Sequence, residues 1–297
     1  MRGKKRLLIS NGMKAKDFDT SYKPSWCPGC GNFGMQIAMK NALVELGLKP
    51  ENVLIVYGIG CSGNGANFTK TYAWHSLHGR SVPSAVGAKL ANKDLTVIVM
   101  AGDGDSYGEG MGHFIHAVRG NADITYVTHD NKLYSLTTGQ SAPTSEKGTK
   151  TKSTPDGLIE VAVNPMSLAL SAGCAFISRG FAGDADHLKE MFKSAILHKG
   201  FSLVDVFQPC VTFNKINTFK WYYDRLYKLD AKPGYKKTDK NQAFKEALVW
   251  GNKIPYGIFY EVKRDTYGSN LPQLNGKALA KRPIKVKDIT ALAKEFA

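Results

Sequence analysis

Apolar residues in this chain fall into short unbroken blocks, separated by stretches where they recur every three or four positions. The blocks NVLIVYG (52–58), DLTVIVMAGDGD (94–105), DITYVTHDN (123–131) and FSLVDVFQP (201–209) read as strands buried on both faces of a parallel sheet, where no alternation is needed. Between them, NFGMQIAMKNALVELG (32–47), SVPSAVGAKLAN (81–92), GEGMGHFIHAVRG (108–120) and DADHLKEMFKSAILHKG (184–200) carry helical spacing, and Gly47 supplies a stop for the first. The alternation predicts an α/β fold: an open, mostly parallel sheet with helices on both faces and right-handed crossovers. The rhythm breaks at 131–163, a polar stretch rich in Thr, Ser, Lys and Gly and too long for an idle connection. After about residue 211 it fades into an aromatic and basic tail with a short helix near VKDITALAKEF. The expected division is an N-terminal arm (1–21), a main domain (22–213) and a C-terminal extension (214–297) packed over it.

The 297 residues, 43% of them hydrophobic, suffice for one large core or two smaller ones. No apolar run reaches the roughly 18 residues a membrane helix needs, and the LLI near the basic start is too short for a signal peptide. A cytoplasmic location is expected. The 40 Lys+Arg against 25 Asp+Glu give a net charge of +15. The lysines are scattered and match no nucleic-acid module, so the basic surface is read as facing an acidic protein rather than nucleic acid. Five cysteines in such a chain point to metal or catalysis, not to a disulfide framework.

Two constellations carry chemistry. The strand ending in Gly102-Asp103-Gly104, with Asp105 next, opens toward a helix, so backbone N–H groups can approach an anion there. Asp103 and Asn131 end successive strands; both offer hard oxygen, which suits Mg²⁺ alongside phosphate. A dinucleotide fingerprint fits worse, because glycine is missing at position 107. This spacing resembles the thiamine diphosphate motif, and the resemblance implies Asp103, Asn131 and the Leu133 carbonyl as Mg²⁺ ligands. The second constellation is cysteine. Cys27 and Cys30 form a CxxC whose upstream residues KAKDFDTSYKPS cannot be the core strand a thioredoxin-type pair requires. Cys61 and Cys210 each follow a predicted strand at the same sheet edge, so the four thiols can form a cage suited to an iron–sulfur cluster or zinc. Cys174, among small apolar residues, reads as packing.

In order along the chain, WCPGCGNFG, GIGCSG, HSLHGR, GDGD followed by HDN, YSLTTGQSAPT and FQPC resemble the β subunit of 2-oxoacid:ferredoxin oxidoreductases, from about residue 22 to 215. The resemblance implies thiamine diphosphate with Mg²⁺, and one [4Fe-4S] cluster on Cys27, Cys30, Cys61 and Cys210. It also implies oxidative decarboxylation of a 2-oxoacid to acyl-CoA and CO₂, with coenzyme A as co-substrate and electrons passed to ferredoxin. Ile59, Gly60, Cys61, Ser62, His75, His78, Gly102, Gly104, Asp105, Ser135 and Leu136 are then expected around the cofactor. No glutamate of this chain matches the activating carboxylate, which in the family comes from an α subunit, so a heterodimer or dimer of heterodimers is expected. Leu136 stands where pyruvate-type members commonly carry Asn, which favours 2-oxoglutarate or a broad substrate range. Glu109 and Gly112 replace the Ile and Asn of the relatives' pattern. The alternatives are a non-redox thiamine-dependent decarboxylase or synthase domain, and a basic binding protein with a zinc-stapled N-terminus.

Overall fold

Each of the four apolar blocks forms a strand, one to three residues shorter at either end than the block itself. The computed structural model describes residues 12–283 and 288–296. In chain order the strands are β1 (Val53–Tyr57), β2 (Tyr72–His75), β3 (Thr96–Gly102), β4 (Thr125–Asp130), β5 (Leu133–Tyr134), β6 (Gln140–Ser141), β7 (Phe176–Phe181), β8 (Ser202–Phe207), β9 (Leu226–Lys228) and β10 (Ile254–Glu261). The helices are α1 (Gly31–Glu45), α2 (Ser81–Ala91), α3 (Met111–Gly120), α4 (Pro165–Ser171), α5 (Ala185–Leu197), α6 (Phe219–Tyr223), α7 (Lys240–Ala247) and α8 (Thr290–Lys294). Eight strands make one sheet in the order β2-β1-β3-β4-β8-β7-β10-β9, and β5 and β6 pair separately. All neighbours in the large sheet run parallel except β10 against β7. The mostly parallel sheet with helices on both faces is the expected fold.

The continuous apolar blocks follow from two-sided burial. On β1, Val53, Ile55 and Tyr57 face a core shared with α1 and α5, while Leu54 and Val56 face a second core shared with α2, α3 and α4. Each strand residue therefore meets a helix layer whichever way it points, and polar alternation would leave unpaired groups inside.

Four strands of the large sheet, β2, β7, β9 and β10, escaped the sequence reading. β7 carries Ser178, Arg179 and Gly180 in its middle; Arg179 is buried through its Asp205 ion pair (3.7 Å) and its position over the Phe207 and Phe259 rings. β2 is an edge strand with every residue exposed, so it needs no apolar signature. β10 contains Pro255 and Gly257, which read as punctuation. The tail is thus more than a cover: β10 and β9 extend the sheet itself. Of the N-terminal arm, residues 1–11 lie outside the described residues; Phe18, in a short turn at Ala15–Phe18, is buried against α1. The helix expected near 286–296 is α8, with Val286 and Lys287 outside the described residues. No helix among the described residues is long and apolar enough to cross a membrane.

Candidate active site

The sheet order places the carboxyl ends of β1, β3, β4 and β8 in a row. Cys61, Asp103, Asn131 and Cys210 follow those four strands in that order, so the topology itself lines the candidate residues along one edge, where open α/β sheets bind ligands.

A cleft of about 100 Å³ opens over β3 and β4. Asp103 is 1% exposed. Its Oδ2 accepts from the Thr144 hydroxyl at 2.5 Å, and its Oδ1 is buried with no partner. Burial, and then the neighbouring Asp130 carboxylate, push its pKa well above the ordinary range. A carboxylate left this way is costly on its own, and a cation facing Oδ1 removes the cost. Asn131 follows β4. Its Oδ1 accepts from the Leu133 N–H (3.1 Å) and the Ser135 hydroxyl (2.7 Å), while its amide donates to Gln208 Oε1 (3.1 Å). These partners fix which way the amide faces. The long polar segment after Asn131 folds back over the cleft and delivers Thr144, the last residue of YSLTTGQSAPT, to which the sequence assigns no role of its own.

Asp105 has a different task from ligand contact alone. Its Oδ1 accepts from the backbone N–H groups of Ile59 (3.1 Å) and Gly79 (2.8 Å), and His78 Nδ1 lies 2.9 Å away. One carboxylate thereby ties together the loops after β1 and β2. Burial raises its pKa, and the two backbone donors oppose the rise. Gly60, at φ 128°, takes the turn that brings Cys61 and Ser62 to the cleft. A Cβ on Gly104 would run into the Tyr134 ring. After it the chain makes a wide π turn at Asp105–Glu109 before α3 begins, a feature common at functional sites. Glu109 sits in this turn, its carboxylate 3.3 Å from the Tyr134 hydroxyl.

Ile59, Gly60, Cys61, Ser62, His78, Gly102, Gly104, Asp105, Ser135 and Leu136 line this cleft together with Asp103, Asn131 and Leu133. His75, exposed on β2, does not line it. The sequence reading missed His129, Tyr134, Thr137 and Gln208 as lining residues. His129 and Gln208 were within quoted motifs, HDN and FQPC, yet nothing in their residue type announces a role. His129 donates through Nδ1 to Asn32 Oδ1 (2.8 Å), and burial lowers its pKa to about 3, so the ring is neutral.

Cys27, Cys30, Cys61 and Cys210 line a second cavity of about 190 Å³, ample for a group of several atoms. The CxxC turns tightly, with the Cys30 N–H on the Cys27 carbonyl (3.0 Å), and Cys30 caps α1. Trp26 latches this turn to the loop after β1: its indole N–H donates to the Cys61 carbonyl at 2.7 Å, and its ring sits edge-on to Phe33 and Phe68. Burial first, and the neighbouring thiols after it, raise Cys30 and Cys61 to about 11. As thiolates the set would repel itself, so it demands a cationic core. Among the described residues no three His, Cys, Asp or Glu side chains gather around a point fit for a single metal ion. Cys174 stands apart, buried, with its thiol on the Phe176 carbonyl (3.1 Å) and its pKa raised by burial to about 12. The two cavities share a wall made of Cys61, Asn131, Ser135, Leu136 and Gln208.

Residues 58–206 match the family model for the thiamine pyrophosphate enzyme C-terminal TPP-binding domain, and residues 210–276 that for the C-terminal part of the pyruvate ferredoxin oxidoreductase β subunit. The chain is 51% identical over 247 residues to a 2-oxoacid:ferredoxin oxidoreductase subunit β of Sulfolobus sp, covering 80% of this chain and 81% of that one. It is 44% identical over 201 residues to the 2-oxoglutarate oxidoreductase subunit KorB of Mycobacterium tuberculosis, covering 68% of this chain and 54% of that one. Its structure resembles that of a 2-oxoglutarate:ferredoxin oxidoreductase from Magnetococcus marinus with 2-oxoglutarate, coenzyme A and succinyl-CoA bound. That match has a TM-score of 0.86 and 36% identity over 90% of this chain and 91% of the other.

Proposed function

The chain belongs to the β-subunit family of the 2-oxoacid:ferredoxin oxidoreductases, and from that premise we propose how its two cavities divide the work. Asp103, Asn131 and the Leu133 backbone hold Mg²⁺ on the diphosphate of thiamine diphosphate, with Ile59–Ser62, His78, Gly102, Gly104, Ser135 and Leu136 around the cofactor. Cys27, Cys30, Cys61 and Cys210 hold a [4Fe-4S] cluster. The observation that carries this reading is the shared wall: one layer of side chains separates the thiol cavity from the Asp103 cleft. Once bound, the cofactor supplies carbanion stabilisation and the cluster one-electron redox chemistry.

The chain's own residues do the positioning. Thr144 occupies one oxygen of Asp103 and leaves the other for the cation. Gln208 holds the Asn131 amide, whose oxygen lies on the cleft side with the Leu133 N–H and the Ser135 hydroxyl. Asp105 is committed to the Ile59 and Gly79 backbone, so neither cleft aspartate is free to activate the cofactor. That carboxylate comes from the α subunit, and this chain alone is inactive. Among the described residues no lysine or arginine lines the cleft; a distal substrate carboxylate finds its partner on the α subunit as well. Leu136 favours 2-oxoglutarate or a broad range over pyruvate. Lys150, Lys152 and Lys215 line a groove that meets the thiol cavity at Phe213, a basic surface for acidic ferredoxin. In this reading residues 22–213 form the cofactor domain, 214–297 its extension, and the complex is cytoplasmic.

Coexpression with the α subunit tests the whole reading. The expected complex is brown, with a broad band near ~400 nm from thiolate-bound iron. It reduces ferredoxin only with coenzyme A and a 2-oxoacid, faster with 2-oxoglutarate than with pyruvate. Leu136→Asn narrows that preference by roughly 10-fold, the scale of one altered pocket contact. A colourless zinc protein, or full activity without α, contradicts the proposal.

The raised pKa of Asp103 adds a pH signature. Metal must displace its proton, so Mg²⁺-dependent cofactor affinity weakens as pH falls below the folded pKa, by up to about 10-fold per unit. Fluorescence titration should show the slope; a profile flat at every pH where the protein stays folded would mean that Asp103 is not a ligand.

A further inference from the structure

Gln208 is 2% exposed and follows β8 directly, in Gln208-Pro209-Cys210. Its one amide touches both cavities. Oε1 accepts from the Asn131 amide (3.1 Å), while Nε2 donates to Cys30 Sγ (3.4 Å) and to the Pro209 carbonyl (3.2 Å). The assignment of oxygen and nitrogen is not arbitrary. Turned over, Oε1 would face the Pro209 carbonyl and the sulfur, and the two amide NH₂ groups would face each other. The backbone holds the side chain at its root, because the Gln208 N–H donates to the Asp130 carbonyl (2.9 Å) and the Gly31 N–H to the Pro209 carbonyl (3.4 Å). A Cβ on Gly31 would stand 3.0 Å from Gln208 Cγ, so the helix start leaves only the room this side chain fills.

Resting on the reading above, we propose that Gln208 is a positioning residue with two separable functions. Toward the cluster, its N–H on the Cys30 sulfur stabilises the more negative, reduced state and sets the potential higher than it would otherwise be. Toward the cofactor, its oxygen holds the Asn131 amide so that Asn131 Oδ1, and not its NH₂, faces the cation. Both effects run through a single planar group, so a rotation that improved one hydrogen bond would lengthen the other. The amide therefore fixes the geometry of the wall between the two redox partners.

Two variants of the α–β complex separate the arms. Gln208→Glu keeps an oxygen for Asn131 but loses the donor to sulfur; Gln208→Met loses both. EPR-monitored redox titration should show the cluster harder to reduce in both variants, with a shift of roughly 10-fold in the one-electron equilibrium, or about 59 mV. Mg²⁺-dependent thiamine diphosphate binding, followed by fluorescence quenching, should weaken about 10-fold to 100-fold in Gln208→Met and stay within about threefold of wild type in Gln208→Glu. Should Gln208→Met fail to assemble, the potential of Gln208→Glu decides the sulfur arm and its binding decides the oxygen arm. An unshifted potential in a variant that retains its iron overturns the assignment to the cluster. Equal binding by wild type and Gln208→Met, or binding by Gln208→Glu as weak as that of Gln208→Met, overturns the assignment to Asn131. A wild-type complex with no iron–sulfur signal would sink the cluster itself, a result distinct from either.

Discussion

Serine in place of Cys30 is expected to bleach the complex. With one thiolate gone, the cavity keeps three sulfurs that no longer enclose a cationic core, and the neighbouring thiols already raise one another's pKa at this spacing. Iron content should fall from about four per chain toward zero, the loss expected for a [4Fe-4S] site held by four cysteines. Ferredoxin reduction should drop by on the order of 1,000-fold, since no other group here accepts single electrons. Cys27→Ser, Cys61→Ser and Cys210→Ser should behave alike. Cys174→Ala supplies the control. That thiol is buried on the Phe176 carbonyl, away from the cavity, so the variant should keep full colour and lose only a little stability. A Cys174 variant without iron, or a Cys210 variant with it, would dissolve the four-thiol assignment.

The second large effect is a trade of stability against function at Asp103. Asp103→Asn keeps the shape and one oxygen but removes the charge. Mg²⁺-dependent thiamine diphosphate binding should weaken on the order of 100-fold or more, given that losing even an outer partner costs 10–100-fold. The metal-free variant should nevertheless be the more stable protein at neutral pH. In the folded chain burial and Asp130 hold the Asp103 pKa above its ordinary value, so the protonated acid is favoured by folding. Its contribution is present in full below about pH 4 and disappears as pH rises toward the folded pKa, leaving a buried charge that opposes folding. Asn carries no such charge. The gain should be about 1–2 kcal/mol near pH 8 and shrink toward pH 5. Urea midpoints at the two pH values measure it, and a destabilised metal-free Asp103→Asn would show that the carboxylate supports the apo fold instead.

The particular residues show why some of this was legible in advance. β1, β3, β4 and β8 are apolar throughout because both faces are covered, and such blocks stand out in any reading. Asp103 and Asn131 announce themselves by their spacing, a GDG after one buried strand and an Asn at the end of the next, which single turn residues do not produce. The cysteines were countable, and only their meeting was unknown. By contrast, β7 hid behind Arg179, whose burial depends on Asp205 and two aromatic rings from distant segments. Thr144, Tyr134 and Gln208 hid because hydroxyls, phenols and amides occur everywhere. His75 stood second to His78 as a candidate, and only His78 lines the cleft, since strand pairing leaves His75 exposed on the edge.

By itself, then, the sequence determined the layered α/β core, the strand ends that carry chemistry and the residue types able to bind hard cations and soft iron, because burial and ligand preference act locally on each side chain. Only the tertiary structure decided that β1, β3, β4 and β8 stand side by side, that Trp26 pins the CxxC to Cys61, and that one glutamine amide spans the wall between two cavities. Those facts depend on contacts between segments up to 178 positions apart, whose meeting is set by strand order and packing and by no pattern within either segment.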